Sequence, residues 1–379
     1  MNTLWSRFLQ ISPWVRILLA ALAVVVISLG IAFVGVYNLY HVLEHGNMFG
    51  YAAAPIGPFQ AAGRLGPLPE FEAFMNSAQK LQELYDLSFG RYHFKTASLT
   101  PELRAAMNEA VAGMAGAAWP AIMDQAYRSS HHGDQFSGSL ARKRMRCLAS
   151  FSVALKEENP DADLSPVLQA FTRDQFLVER ISPTLVTKMA SLALTGRMVQ
   201  TIHDLVRKGV VKPAEAASMR DILEHSRRMR FSLNETLTFD LEWAENFCTR
   251  LYARAPLGCW LLERIFGHPL AEYRKIVTGI DAMDGAALRD AVKKVGHPLE
   301  AVMVPTLTRA RESFLQRAAW EEILLQELQD LGNASAAKRI DPYTNAPLLM
   351  KRIDGRVAYY AAGPDGRDGE MTADDVFLP

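Results

Sequence analysis

From Ile17 to Tyr40 the chain carries no charged residue: ILLAALAVVVISLGIAFVGVYNLY, 24 residues. A helix needs about 20 apolar residues to cross the hydrocarbon core of a bilayer. The run has no polar face, so it does not suit a helix lying half-wet against a soluble core. It predicts a transmembrane helix over 17–40. Residues 1–16 hold Arg7 and Arg16 and no acid, whereas the stretch after Tyr40 holds Glu44 and no Lys or Arg until Arg64. Positive charge accumulates on the cytoplasmic side of a span. That puts residues 1–16 in the cytoplasm and the chain after Tyr40 outside the inner membrane. Trp5, Trp14, Tyr37 and Tyr40 stand near the two ends, where aromatic belts form. A cleaved signal peptide is the rival, but its apolar region is normally about 7–15 residues and ends at small residues. This run is longer and ends in Tyr37, Leu39 and Tyr40. An uncleaved anchor is therefore expected, with about 340 residues in the periplasm of a double-membrane bacterium. No second run reaches spanning length. Leu185–Val199 comes closest, but Lys188 and Arg197 interrupt it.

The periplasmic part divides by pattern. Residues 41–69 form a juxtamembrane linker, dense in Gly and Pro from Gly46 onward. Residues 70–333 read as a multi-helix domain of about nine or ten helices. Thr100-Pro101, Ser165-Pro166 and Ser182-Pro183 each place a hydroxyl before proline, a helix-start signal. Met219, Ile222, Leu223 and Met229 share one helical face. Leu307, Phe314, Ala318, Leu325 and Leu328 share another, with Arg309, Arg311, Glu321 and Glu327 opposite. In residues 334–379, Leu348–Ile353 and Arg356–Tyr360 flank Asp354-Gly355. Asp-Gly between two short runs signals a hairpin, since both turn residues need positive φ. The expected fold is thus mainly α: a transmembrane helix, a helical periplasmic domain and a small C-terminal β-hairpin unit.

The tail GPDGRDGEMTADDVFLP places Asp365, Asp368, Asp374 and Asp375 close together among glycines. Calcium takes six to eight hard oxygens, and a loop that turns back can bring Asp365 beside Asp374 and Asp375. The bland reading is a solvated acidic end. From Asp341-Pro342 through Tyr359-Tyr360 to Gly363-Pro364-Asp365-Gly366 and Asp374-Asp375, the segment resembles the C-terminal end of type II secretion major pseudopilins. That resemblance implies a calcium ion (Ca2+) held by Asp365, Asp374 and Asp375. It covers about 40 residues. A pseudopilin also begins with a Gly-Phe-Thr-Leu-Ile-Glu-like motif, and nothing of that kind occurs in Ile17–Tyr40. Residues 180–379, with DPYTNAPL and YYAAGPDG, further resemble bacterial envelope proteins that combine a helical body with the same ending.

Other candidates are weighed against plainer readings. His41-Val42-Leu43-Glu44-His45 matches a zinc-protease spacing, but it continues the transmembrane run and lacks an assignable third ligand. His131-His132-Gly133-Asp134 reads as a loop. Cys248 and Cys259 could bridge, since disulfides persist outside the cytoplasm; three buried thiols are the alternative. Asp240, Glu242 and Glu245 suggest a glycosidic acid pair, but Phe239, Leu241, Trp243 and Phe247 read as packing, which turns the carboxylates to solvent. Arg142-Lys143-Arg144-Met145-Arg146 reads as a solvated basic face. Lys plus Arg and Asp plus Glu balance at 41 each, which argues against nucleic acid as a partner. The expectation is a non-enzymatic scaffold or accessory subunit at the inner membrane, binding other envelope or secretion-system proteins. A peptidoglycan-lytic envelope hydrolase is the alternative. A concave pocket holding a buried carboxylate of raised pKa distinguishes the two.

Overall fold

A computed structural model describes residues 100–113, 138–181, 185–230, 232–268, 270–280, 283, 285–295, 305–332, 337–353, 355–372 and 375–378, with most of 76–84. The transmembrane run, the linker, His41–His45, His131–Asp134 and Asp374 lie outside the described residues.

Thr100 Oγ1 accepts the amide hydrogen of Leu103 at 3.2 Å. Helix α1 (Pro101–Gly113) starts there, as its Thr-Pro pair predicts. Helix α2 (Gly138–Glu158) turns through a short loop at Asn159-Pro160 into α3 (Ser165–Ile181). Here the cap differs from expectation: Ser165 Oγ is buried with no hydrogen-bond partner among the described residues, and Asp163 Oδ1 accepts the Ser165 amide at 2.9 Å. Ser182-Pro183 lies outside the described residues, and α4 (Leu185–Arg207) follows. Then come α5 (Pro213–Met229) and α6 (Leu233–Arg254). In α6, Ser232 and Glu235 accept each other's backbone amides, a capping box. Three short helices follow: α7 (Pro256–Phe266), α8 (Ala271–Gly279) and α9 (Gly285–Lys293). The long α10 (Pro305–Gly332) completes the set. Among the described residues no helix is long and apolar enough to cross a membrane.

Two cores result. The first gathers α1 to α5 around Leu148, Phe151, Leu168, Phe171, Met198 and Met219, with Ile323, Leu324 and Leu328 of α10. The second joins α6, α8 and α9 through Leu237, Tyr273, Ile276 and Leu288, with Leu307 and Ala310 of α10. Helices α4 and α10 reach both cores.

The C-terminal unit is a three-stranded antiparallel sheet in the order β1 (Leu349–Ile353), β2 (Arg356–Ala361), β3 (Val376–Phe377). Ile353 pairs with Arg356, which closes the expected two-residue turn, and Gly355 takes φ +79. The third strand extends the expected hairpin. Val376 and Leu378 bury themselves in the first core, and that burial draws the tail back along β2. An isolated hairpin is marginal in water, and β2 and β3 both pack on α10.

Candidate functional site

Among the described residues, chemistry-bearing side chains gather in the C-terminal loop, in the polar interior around α10, at buried pairs elsewhere in the helical body, and along the α3–α5 groove.

In the C-terminal loop the buried organiser is Asp341. Its Oδ1 accepts the Tyr343 amide at 2.8 Å. Its Oδ2 accepts the Thr344 hydroxyl at 3.1 Å and the Ala362 amide at 3.0 Å. One carboxylate thus ties the Asp-Pro turn to the end of β2. Asp365 is exposed and accepts the Arg367 amide at 3.0 Å. Asp375 is buried, and its two oxygens accept the amides of Gly369 and Thr372 at 3.3 and 3.0 Å. Asp368 accepts the Tyr360 hydroxyl at 2.8 Å and the Glu370 amide at 2.9 Å, and these bonds hold its pKa below the usual carboxylate value. Burial, with Asp368 alongside, pushes the Tyr360 phenol up to about 12. Glu370 and Met371 both adopt positive φ, 58° and 65°, which is uncommon for residues with side chains. Among the described residues no three His, Cys, Asp or Glu side chains gather closely enough to hold a metal ion. Asp374, the third expected ligand, lies outside them.

The interior around α10 corrects the expected polar face of that helix. Glu321 and Glu322 are buried, at 4% and 7% exposure. Glu321 holds Arg230 through two bonds, at 2.6 and 3.2 Å. Glu322 meets Arg227, and Glu327 meets His203 Nδ1 at 2.6 Å. Beside Glu321, Glu179 of α3 takes Lys188 of α4, with Ser191 Oγ at 2.8 Å and Gln175 Nε2 at 3.2 Å on its other oxygen. Burial lowers the Lys188 pKa and Glu179 works against that shift. Arg317 lies 4.7 Å from the centroid of the Trp320 ring, and burial brings its pKa down to about 10. A buried ion pair needs such supporting bonds, because desolvation consumes most of the attraction.

The expected solvated basic run is corrected in the same way. Arg144 is 2% exposed; it bonds Asp174 at 2.8 Å and the Ala110 carbonyl at 2.6 Å. Burial raises the Asp174 pKa to about 6 despite Arg144. Arg146 is exposed as expected. Lys156 links the α2–α3 corner to α5 through Glu215 at 2.7 Å and the carbonyls of Pro160 and Val210.

Asp240 is half-buried rather than turned to solvent. It accepts the first amide of α4, Leu185 N, at 3.0 Å, and burial pushes its pKa up to about 6. Glu245 behaves as expected, on the surface beside Arg274 at 2.6 Å. Cys147, Cys248 and Cys259 are buried free thiols, and burial raises Cys259 to about 11.

The groove between α3 and α5 encloses about 570 Å³ and is lined by Arg173, Phe176, Asp221, Ile222, His225 and Met229, among others. Neither Asp174 nor Asp240 lines it. Ile222 and Met229, expected on one face with Met219 and Leu223, form its apolar wall; Ile222 also packs against the first core, and Met229 is 43% exposed. No family model, curated protein or solved structure matches this chain.

Proposed function

We propose that the chain is a single-pass inner-membrane protein whose helical body stands in the periplasm as a non-enzymatic scaffold or accessory subunit for other envelope or secretion-system proteins. The anchor is Ile17–Tyr40, with residues 1–16 in the cytoplasm. One observation carries the choice of a binding role over a hydrolytic one. Among the described residues, the carboxylates with raised pKa are Asp174 and Asp240, and both are spent on holding Arg144 and the start of α4, away from the groove. A general acid needs the same raised pKa but must face its substrate.

A reporter fused after Pro379 is expected to be active only in its exported form, and cytoplasmic activity there would overturn the orientation. Purified chain is expected to leave peptidoglycan intact. Release of muropeptides that Asp240→Asn abolishes without unfolding the protein would establish the hydrolase.

Calcium at Asp365, Asp374 and Asp375 belongs to the same proposal. Support comes from the pseudopilin-like ending, the oxygen-only donor set and the two adjacent positive-φ residues inside the loop. Glycine-rich chain is costly to order, and an ion bound only by the folded form stabilises it. Chelation is expected to lower the melting temperature or expose 356–379 to protease, and Asp365→Ala to mimic it. If calcium changes neither in the wild type, the loop is held by its own hydrogen bonds and the calcium proposal fails.

A further inference from the structure

Helix α7 presents its apolar residues in the wrong direction for a soluble protein. Its inner side, with Cys259, packs on Leu251 and Ala255 as a small cluster that Phe247 links to the second core. Its outer arc carries Leu257, Trp260, Leu261, Arg264 and Ile265, which fall within about 140° of one another at 3.6 residues per turn. Trp260 is 50% exposed and Ile265 68%, while Leu257 and Leu261 are half-buried. The helix is held firmly enough to present that arc. Pro256 opens it, Gly267 at φ +86 ends it, and Tyr252 of α6 reaches Glu263 at 3.4 Å.

The sequence on and just before this arc carries more base than acid. Residues 250–268 contain Arg250, Arg254 and Arg264 against the single acid Glu263. Glu263 takes the Tyr252 hydroxyl, and Arg254 and Arg264 are exposed. The Arg264 guanidinium lies 5.7 Å from the Trp260 ring centroid, in the middle of the apolar arc. At a protein interface that guanidinium would be buried and would need a matching acid. At a bilayer the long side chain reaches back to phosphate while its stem and the indole stay in the interfacial layer.

We propose that α7 is a lipid-contact helix: Leu257, Trp260, Leu261 and Ile265 enter the interfacial layer of a bilayer, and Arg264 meets its anionic headgroups. Basic, Trp-containing amphipathic helices bind membranes in this way. Eleven residues give a weak contact alone. The inference therefore rests on the proposed anchor, which keeps the body close to the membrane and turns the contact into an intramolecular event.

The test uses the full chain in nanodiscs of phosphatidylcholine with phosphatidylglycerol, carrying a nitroxide at Ile265→Cys. A control label goes at Ser218→Cys, exposed on α5; the three native thiols are buried. The label at 265 is expected to be relaxed by lipid-soluble oxygen, and the label at 218 by a water-soluble nickel chelate. Omitting phosphatidylglycerol, or Arg264→Gln, is expected to cut the docked-to-free ratio about fivefold per lost charge contact. If the discs retain the chain but the 265 label is relaxed by nickel, the inference fails alone. A label shielded from both reagents also overturns it, because a second copy or another protein then covers α7. Release of the chain from the discs by salt overturns the anchor, and this inference with it.

Discussion

Helices α10 and α7 bury opposite kinds of side chain. In α10, Glu321 and Glu322 are 4% and 7% exposed and are satisfied by Arg230 and Arg227. In α7, Trp260 and Ile265 are 50% and 68% exposed while the small Cys259 is inside. The difference separates structure from contact. Charge taken inside is held chiefly by other side chains of this chain, although Glu322 Oε2 and the Nε and Nη1 of Arg317 keep no hydrogen-bond partner among the described residues, whereas apolar surface left outside lowers the free energy only when something covers it. Polar chemistry in this chain is therefore read as scaffold, and the apolar arc as working surface.

The strongest way to break that comparison is Glu179→Ala, which strands Lys188 in the interior. Removing one partner of a buried pair costs about 3–5 kcal/mol. Urea unfolding should show the whole loss, and Glu179→Gln with Lys188→Met should recover much of it.

The next effect is a pH dependence from Asp240. Its folded pKa of about 6 lies above the ordinary 3.8, so the folded state takes the proton first. This group's contribution falls as pH rises from about 4 through 6 and stays unfavourable above. Asp240→Asn, which still accepts the Leu185 amide, should be more stable than wild type at neutral pH by about 2 kcal/mol. The difference should vanish towards pH 4. Unfolding curves at several pH values decide it, and parallel curves would mean that Asp240 is not desolvated.

Gly196→Ala probes the same interior sterically. A methyl group there would collide with the guanidinium of Arg317, which lies over Trp320. Moving that guanidinium should cost about 1–2 kcal/mol and quench or shift the Trp320 signal. Smallest of all is Ile265→Ser. If the α7 arc is contact surface, its stability effect in solution stays within about 0.5 kcal/mol.

The helical architecture was legible because caps and periodicity are local. Thr100 caps α1, and the hairpin turns between Ile353 and Arg356, where the Asp-Gly pair predicts it. The cap of α3 was misplaced by a residue type of equal aptitude, Asp163, two positions earlier. Polar burial was not legible. Arg144, Asp240 and Glu321 look like surface charges because their partners, Asp174, the Leu185 amide and Arg230, lie 30, 55 and 91 residues away. Nothing local announces such a pairing. Asp341 had a visible signal, the Asp-Pro-Tyr-Thr turn, but its third bond, to Ala362, comes from 21 residues on. The α7 arc was missed because PLGCWLLERIF reads as ordinary core.

The most direct test melts Glu179→Ala and Trp260→Ser side by side in the full chain, with bilayer contact at residue 265 measured on the same samples. The account predicts that Glu179→Ala lowers the melting temperature by at least about 6 °C and leaves contact by the folded protein intact. Trp260→Ser should leave melting unchanged and abolish the contact. A loss of melting temperature in Trp260→Ser comparable to that in Glu179→Ala would show that α7 faces the core, and would contradict the account.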